Sequence, residues 1–375
     1  MSWAWPGRRQ RGPGRRGRPR RGPVPVLEDR AGGRATAPRP ARDRRARGAS
    51  PGGRSATAAP AAEARLTGGL HTRRRDRAAI AHHYDLSNDF YRFLLDPRMA
   101  YSCGYWTQEP SGTYGLADAQ RDKLDLICRK LALQPGMRLL DVGCGWGALV
   151  IHAAEHHGVT AVGVTLSARQ RNYARARVEA LGLADRVEIR LQDYREVADP
   201  PFDAVASVEM GEHVGEAGYP AFAARLHDLL RPQGRLLLQQ MSRGASGGDN
   251  TPGGGAFIER YVAPDMHMRP LGATLGLLEA AGLEAVDVQS LREHYVRTIE
   301  PWLATLRERA PEAVALVGGQ QHRVWLLYLA GAALAFAQNR MGVHQILMVR
   351  PGPDGRSGLP LAREAVLGAG VEAVA

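Results

Sequence analysis

The amino-acid sequence predicts an α/β protein with a Rossmann-like sheet, a helical N-terminal cap, helical insertions and a disordered basic N-terminal tail. From residue 137 onward, short apolar runs alternate with helical segments, as in a parallel sheet flanked by helices. A glycine-rich turn follows the first apolar run directly. The first 75 residues are instead rich in Arg, Pro and Gly. We therefore divide the chain into a tail (1–75), a helical cap (76–134), a core (135–351) and a C-terminal extension (352–375).

The tail carries the positive charge of the chain. The formal net charge is +12, yet residues 1–80 hold 21 Arg against five acidic residues, so the remainder is mildly acidic. Such a composition cannot bury enough apolar surface to fold, and the tail has no apolar segment typical of a secretory signal. It favours peripheral contact with an anionic membrane surface, where each Arg contributes about 1 kcal/mol. An extension without a function is the alternative, and nucleic acid is not expected because interleaved aromatic residues are missing.

Composition also bears on location and on metal binding. No window reaches the roughly 18 to 20 apolar residues of a membrane span, and we interpret the longest apolar run, residues 324–336, as a buried helix. Cys103, Cys128 and Cys144 are too few and too scattered for a disulfide scaffold or a zinc cluster. Histidines such as His156 and His157 are expected at the surface, and no metal is expected. We predict a cytoplasmic protein that is peripheral to the membrane.

The cap begins with apolar residues at helical spacing from 77 to 96, interrupted by turn-forming residues at 85–88. An amphipathic helix is predicted over 116–133, where Gln134-Pro135-Gly136 ends it. These segments predict a set of helices that precedes the sheet.

The core is predicted from its apolar runs. Five strands are expected at 138–142, 161–165, 187–191, 204–207 and 235–239. Residues 286–291 and 343–349 are expected to complete the sheet, with a helical stretch, 302–338, inserted between them. The glycine-rich loop 243–255 is too long for a simple connection and is a candidate lid.

The glycine-rich turn follows the first strand as Asp141-Val142-Gly143-Cys144-Gly145. Gly143 and Gly145 let the backbone approach a ligand where a Cβ atom would collide. The Gly-x-Gly-x-Gly spacing differs from a dinucleotide motif, and Asp141 would repel a phosphate but can accept hydrogen bonds from the ammonium group of a methionine moiety. The turn alone is equally compatible with a purely structural role.

Polar side chains also follow the next two strands. Thr165, Leu166 and Ser167 end the second strand, Gln170 comes one turn later, and Gln192 follows the third strand. Ligands of such sheets bind at the carboxyl ends of the strands. Three consecutive strand ends with polar groups indicate an adenosyl ligand.

Several motifs in family order resemble the cyclopropane fatty acid synthase and mycolic acid cyclopropane synthase family of S-adenosylmethionine-dependent methyltransferases. Besides the glycine motif and Thr165-Leu166-Ser167, the matching segments are 83–91 (HYDLSNDFY), 101–106 (YSCGYW), 212–215 (EHVG), 293–295 (EHY) and 342–345 (GVHQ). The resemblance covers about residues 78–350 and implies a class I methyltransferase sheet. It also implies an unsaturated acyl chain of a phospholipid as substrate, and a homodimer is left open.

The resemblance carries over site residues position by position. The cofactor, S-adenosylmethionine, would contact Tyr84, Tyr101, Ser102, Gly143, Gly145, Thr165, Leu166, Gln170 and Gln192, in addition to Asp141. The family holds a bicarbonate ion with a Cys, a Glu, a His and a Tyr, and the matching catalytic positions are Cys103, Glu212, Gln239 and Tyr295. Two positions depart from the family: Gln239 replaces the usual His, and Glu209 stands where many members have Gly.

The chemistry explains these residue types. An alkene is a poor nucleophile, so it must meet the sulfonium methyl group in a dry site. Attack leaves a carbocation, which aromatic faces such as Tyr295 and Trp106 stabilise, and a base must then remove a proton. Gln239 cannot carry a proton as His can, which favours a methylene or methyl branch over a cyclopropane ring. A small-molecule acceptor is the alternative, because the fold alone does not select the acceptor.

Overall fold

The computed structural model describes residues 63–64, 66–84, 87–244 and 254–367, without the side chains of 81–84. Most of the predicted tail therefore lies outside the described residues. The same holds for most of the predicted lid, 243–255, and for the last eight residues of the C-terminal extension.

Three helices precede the sheet. They are α1 (Arg73–Tyr84), α2 (Asn88–Leu94) and α3 (Leu116–Lys130). The hydroxyl of Ser87 caps α2 by accepting a hydrogen bond from the backbone N–H of Phe90 at 3.0 Å. In α3, the buried face includes Ala119, Lys123 and Ile127, which are spaced as one side of a helix requires.

Seven strands form one sheet in the order β3-β2-β1-β4-β5-β7-β6. The strands are β1 (Arg138–Val142), β2 (Thr160–Thr165), β3 (Val187–Leu191), β4 (Phe202–Val208), β5 (Leu230–Arg243), β6 (Glu284–Ser290) and β7 (Met341–Val349). The first five are parallel, and β7 runs antiparallel to both β5 and β6. The predicted α/β class and Rossmann-like sheet are confirmed, and the strand order reverses beside β1, where such sheets bind ligands.

Helices cover both faces of the sheet. Between the strands lie α4 (Ala148–His157), α5 (Ala168–Ala180), α6 (Tyr219–Leu229), α7 (Ala256–Tyr261) and α8 (Leu271–Ala280), and α11 (Arg363–Val366) follows β7. Two short 3-10 helices, Tyr194–Glu196 and Gly211–His213, follow β3 and β4. Neighbouring strand residues point to opposite faces, so Leu139 packs under α3 and α4 whereas Leu140 packs under α6.

The long insertion between β6 and β7 consists of α9 (Arg292–Glu308) and α10 (Ala310–Ala337), the latter kinked at Gly318. Together with α2 they enclose a third apolar core. The prediction of a buried helix at 324–336 is only partly right, because Leu327 and Leu334 are 60% and 51% exposed. A helix that packs through one face leaves the other in solvent. Within the described part of the chain, no helix has the length and apolar character to cross a bilayer.

Candidate functional site

A cavity of about 1500 Å³, counting its open mouth, lies at the carboxyl ends of β1 to β4. Residues from α1 and from the segment after α2 also line it. Of the predicted cofactor-binding residues, the cavity wall includes Tyr101, Ser102, Asp141, Gly143, Gly145, Thr165, Leu166, Gln170 and Gln192. The side chain of Tyr84 is outside the described residues. The fold therefore brings residues from four strand ends and the cap to one place.

The glycine turn after β1 forms part of the cavity wall. Gly143 has a φ of +85° and Gly145 a φ of +53°, both in the left-handed region. A Cβ atom on Gly143 would lie 2.7 Å from Cγ of Met210. The backbone N–H groups of Gly143 and Cys144 each donate to the carbonyl of Val164 at 3.0 Å. This turn leaves no room for a larger residue at position 143.

Asp141 offers an unsatisfied carboxylate to the cavity. It is 3% exposed, and its Oδ1 atom has no hydrogen-bond partner among the described residues. Burial raises its pKa to about 7, and the charge of Lys123 partly opposes that shift. A buried polar atom of this kind requires a partner, and the ammonium group of S-adenosylmethionine has the complementary charge and donors. The residues present therefore fit this cofactor.

The ends of the second and third strands are held by local hydrogen bonds. The Thr165 hydroxyl donates to Oε1 of Gln170 at 2.7 Å. The backbone N–H of Gln170 in turn donates to the Ser167 hydroxyl at 3.2 Å. Gln192 donates through Nε2 to the carbonyl of Glu196 at 2.9 Å. These contacts order the polar groups along the cavity wall.

Glu209 lines the cavity and lies at the centre of a group of buried hydrogen bonds. Its Oε1 accepts from the backbone N–H of Cys103 at 2.8 Å and from Nε2 of Gln239 at 2.9 Å. Its Oε2 accepts from the Tyr295 hydroxyl at 2.6 Å. The residue has a φ of +52°, a conformation that costs a residue with a side chain about 1 to 3 kcal/mol and is concentrated at functional sites. Both carboxylate oxygens are thus engaged inside the protein.

Three of the four predicted catalytic residues, Cys103, Gln239 and Tyr295, meet at Glu209. The fourth, Glu212, does not make that contact. It is fully buried in the 3-10 helix after β4, where its Oε1 accepts from the backbone N–H of Met241 at 2.5 Å. Burial, together with the charge of Glu209, raises the pKa of Glu212 to about 8. The chain turns tightly after β4, which directs the carboxyl groups of residues 209 and 212 to different partners.

The predicted bicarbonate site does not fit the residues present. The three groups that would donate to such an ion are the backbone N–H of Cys103, the Gln239 amide and the Tyr295 hydroxyl, and all three donate to Glu209. Burial raises the pKa of the Cys103 thiol well above its usual value, so its sulfur carries no charge. We therefore route no step of the reaction through bicarbonate.

Sequence reasoning gave no role to two buried residues that support this centre, Lys123 and Gln345, although Gln345 lies in the matching segment 342–345. Lys123 is 2% exposed, lines the cavity and donates to the Ser102 hydroxyl at 2.8 Å. Burial lowers its pKa, and the charge of Glu209 opposes that effect. Gln345 donates through Nε2 to Oε1 of Gln239 at 3.1 Å. A lysine on the apolar face of α3 was a signal that could have identified Lys123.

Tyr295 packs against two aromatic rings, those of Phe336 and Trp302. Its ring lies 4.7 Å from that of Phe336, and Tyr101 lies 5.4 Å from Trp302 and 6.0 Å from Trp325, measured between ring centroids. They belong to the apolar core formed by α2, α9 and α10. This aromatic cluster adjoins the cavity at Tyr101.

The prediction that Trp106 joins Tyr295 in stabilising a cation is not supported. Trp106 packs against Tyr114 in a separate apolar cluster, and its indole N–H donates to the Thr298 hydroxyl at 3.1 Å. That hydrogen bond fixes the Tyr101–Trp106 stretch against α9 instead. Trp106 thus has a structural role and not the predicted role in stabilising a cation.

A cluster of potential metal ligands lies away from the cavity. Ligand atoms of Cys128, His152 and His157 lie within 4.8 Å of one another between α3 and α4. His152 shares a hydrogen bond of 2.8 Å with Asp125. None of these residues lines the cavity, so the cluster is separate from the candidate site.

The chain is similar in sequence and in fold to several known proteins. The family model described as mycolic acid cyclopropane synthetase matches residues 71–346. A probable fatty acid methyltransferase of Pseudomonas putida is 44% identical over 78% of this chain and 74% of its own length. A probable fatty acid methyltransferase of Mycobacterium tuberculosis is 41% identical over 78% of this chain and 67% of its own length. The crystal structure of mycolic acid cyclopropane synthase CmaA1 with SAH and CTAB superimposes with a TM-score of 0.68 and 33% identity, covering 72% of this chain and 97% of that one.

Proposed function

The chain belongs to the mycolic acid cyclopropane synthetase family of S-adenosylmethionine-dependent methyltransferases, and from that premise we propose its acceptor. The proposed reaction adds a methyl or methylene carbon to the double bond of an unsaturated fatty acyl chain of a phospholipid. The observation that carries the proposal is that a cavity with polar groups at its strand ends adjoins an aromatic cluster, directly at Tyr101 and through the hydrogen bond between Glu209 and Tyr295. A sulfonium donor suits the polar part, and an apolar chain suits the aromatic part.

The two parts divide the work of the reaction. S-adenosylmethionine supplies an electrophilic methyl group on a positively charged sulfur. Asp141 would hold the ammonium group of the cofactor. Because Gly143 has no side chain, the backbone of the turn could approach the cofactor closely. The aromatic cluster around Tyr295 excludes water from the double bond. Its ring faces stabilise a carbocation by about 0.5 to 2 kcal/mol each.

The product of the proposed reaction is a cyclopropane or a methylene- or methyl-branched chain. The branch is favoured by Gln239, whose amide donates to Glu209 and to the carbonyl of Cys103 but cannot carry a proton. The relatives named for fatty acid methyl transfer are also more similar to this chain than the cyclopropane synthase structure is. Reduction of a methylene branch to a methyl branch would require a separate reductase.

The proposal also includes peripheral contact with an anionic membrane in the cytoplasm, because a phospholipid acyl chain must be drawn from a bilayer. The many Arg residues of positions 1–75 supply a charge that is attracted to anionic head groups. Co-sedimentation with anionic vesicles should fall on deletion of residues 1–70. Unchanged sedimentation would remove the tail from the proposal.

Mass spectrometry of lipid extracts tests the proposed acceptor. The full chain is expressed in a host fed an unsaturated fatty acid, and Asp141→Asn, which should bind the cofactor more weakly and give less product, serves as the matched control. We expect acyl chains that gain one CH₂ unit, and fragmentation after derivatising any remaining double bond separates a ring from a branch. Unchanged lipids together with a methylated small molecule would instead support the alternative acceptor class.

A further inference from the structure

Glu209 occupies the place where the family resemblance puts a bound anion. We propose that Glu209 is a built-in replacement for bicarbonate and the catalytic base that accepts the proton at the end of the reaction. The proposal rests on the proposed function for its chemistry, and on the contacts of Glu209 for its geometry. It adds a catalytic residue at a position where the resemblance leads one to expect Gly.

The contacts of Glu209 are those of an anion site already filled. Its two oxygens accept hydrogen bonds from one backbone N–H, one amide and one hydroxyl, contributed by three separate segments of the chain. The buried ammonium group of Lys123 adds an attractive positive charge. A free bicarbonate ion would have to displace a carboxylate that is covalently attached and already bonded to the same donors.

The backbone conformation at position 209 indicates that the glutamate has a functional role. Its φ of +52° is the left-handed conformation that favours Gly, and its N–H donates to the carbonyl of Gln239 at 2.6 Å. A Gly at this position would keep the backbone conformation without strain and would take away the carboxylate to which all three groups donate, leaving Nε2 of Gln239 only its hydrogen bond to the carbonyl of Cys103. The chain therefore carries a strained Glu where a relaxed Gly would create an open anion site.

Glu209 also has the reach and chemistry of a base. Glu209 is one of the residues that line the cavity, as are Tyr101 and Gly143. The alkene carbon forms a bond to the methyl carbon as the carbon–sulfur bond breaks, which leaves a cation on the neighbouring carbon. Glu209 then accepts one proton, and the released electron pair closes a ring or, after a hydride shift, forms a double bond. Burial raises the pKa of Glu209, which makes its carboxylate a stronger base at neutral pH.

Two variants separate the base from the anion site. Glu209→Gly removes the carboxylate and opens the site, whereas Glu209→Gln removes the base but keeps the site filled. Binding of ¹³C-labelled bicarbonate is followed by NMR without cofactor or lipid. We expect saturable binding to Glu209→Gly, and none to the unmodified protein or to Glu209→Gln. Saturable binding of bicarbonate at this site in the unmodified protein would overturn the proposal.

Turnover of an unsaturated phospholipid provides the second measurement. Both variants should lose about 10² to 10⁴-fold in turnover, with unchanged cofactor affinity. Added bicarbonate or formate should restore activity to Glu209→Gly but not to Glu209→Gln. Turnover of the unmodified protein should not depend on bicarbonate.

Full activity of Glu209→Gln, or a loss of wild-type turnover on bicarbonate removal, would contradict the proposal. If the unmodified protein adds no carbon to any lipid, the proposed function fails, while the binding measurement still reports on the anion site.

Discussion

The site has two proposed halves, a cofactor half in the cavity and an acceptor half around Glu209, and they are assembled in different ways. In the cofactor half, Asp141, Gly143 and Gly145 lie within five consecutive residues. Hydrogen bonds between residues close in the chain order the end of the next strand. In the acceptor half, Glu209 bonds to Cys103 and Tyr295, which are 106 and 86 positions away in the chain. Local backbone geometry builds the first half, and tertiary contacts build the second.

Substitutions in the two halves should therefore change different measured quantities. Changes in the cofactor half should alter the affinity for S-adenosylmethionine, because they change the surface that the cofactor touches. Changes in the acceptor half should alter turnover at constant cofactor affinity, because they act on the reacting carbon atoms. The following experiments test that division, beginning with the largest effect.

Gly143→Ala should weaken cofactor binding by at least about 100-fold, equivalent to about 2.7 kcal/mol. The added Cβ would lie 2.7 Å from Cγ of Met210 at a φ of +85°. Gly182→Ala is the matched control, because Gly182 also has a positive φ of +67° but nothing within 4 Å of an added Cβ. Isothermal titration calorimetry measures both. Equal losses in the two variants would mean that backbone strain, and not the cavity, explains the effect.

Tyr295→Phe should lower turnover by about 10 to 100-fold while cofactor affinity stays constant. The change removes the hydroxyl that donates to Glu209 at 2.6 Å. Tyr114→Phe is the control, because that hydroxyl contacts Thr107 and Asp122 outside the cavity. Steady-state turnover and calorimetry are compared for both variants. A matching loss of cofactor affinity in Tyr295→Phe would break the division between the two halves.

Cofactor affinity should rise with pH up to about 7, the pKa to which burial raises Asp141 in the ligand-free protein. The charged carboxylate attracts an ammonium group much more strongly than the neutral acid does, so affinity should fall by up to about tenfold for each pH unit below 7. Since the folded-state pKa is raised from 3.8, this group should make the ligand-free protein less stable as pH rises from 3.8 towards 7.

Titration calorimetry between pH 5.5 and about 8 measures this slope. Asp141→Asn should abolish it and weaken binding at the higher pH values. Asp203→Asn should retain it, because Asp203 bonds to the backbone N–H of Arg138 at the opposite edge of the sheet. A slope that survives in Asp141→Asn would assign the titration to another group.

Gln239→His should give the smallest effect, a severalfold shift of the product ratio towards the ring. An imidazole can carry a proton beside Glu209, whereas the Gln239 amide, which donates to Glu209 at 2.9 Å, cannot. Mass spectrometry of the acyl chains measures the ratio, with Gln345→Met as a control that disturbs Gln239 without adding a proton acceptor. An unchanged ratio would remove Gln239 from the control of the product.

Sequence patterns predicted the sheet well because each strand is a short apolar run between turn residues. They also predicted that Asp141, Thr165 and Gln192 lie together, and these residues line one cavity because the carboxyl ends of parallel strands meet at one edge of a sheet. Glu212 was predicted to hold an anion, and the structure instead directs it to Met241. Glu209 was noticed only as a departure from Gly, because neither its position nor its spacing indicates which distant donors surround it.

The sequence by itself determined the α/β class, the strand positions and the glycine turn, because these depend on apolar periodicity and on local backbone freedom. The tertiary structure decided which carboxylate bonds to Cys103, Gln239 and Tyr295. That choice depends on the tight turn after β4 and on the packing of α9 against the segment that contains Cys103. Hydrogen bonds between residues far apart in the chain are set by the packing of whole elements, which no local pattern encodes.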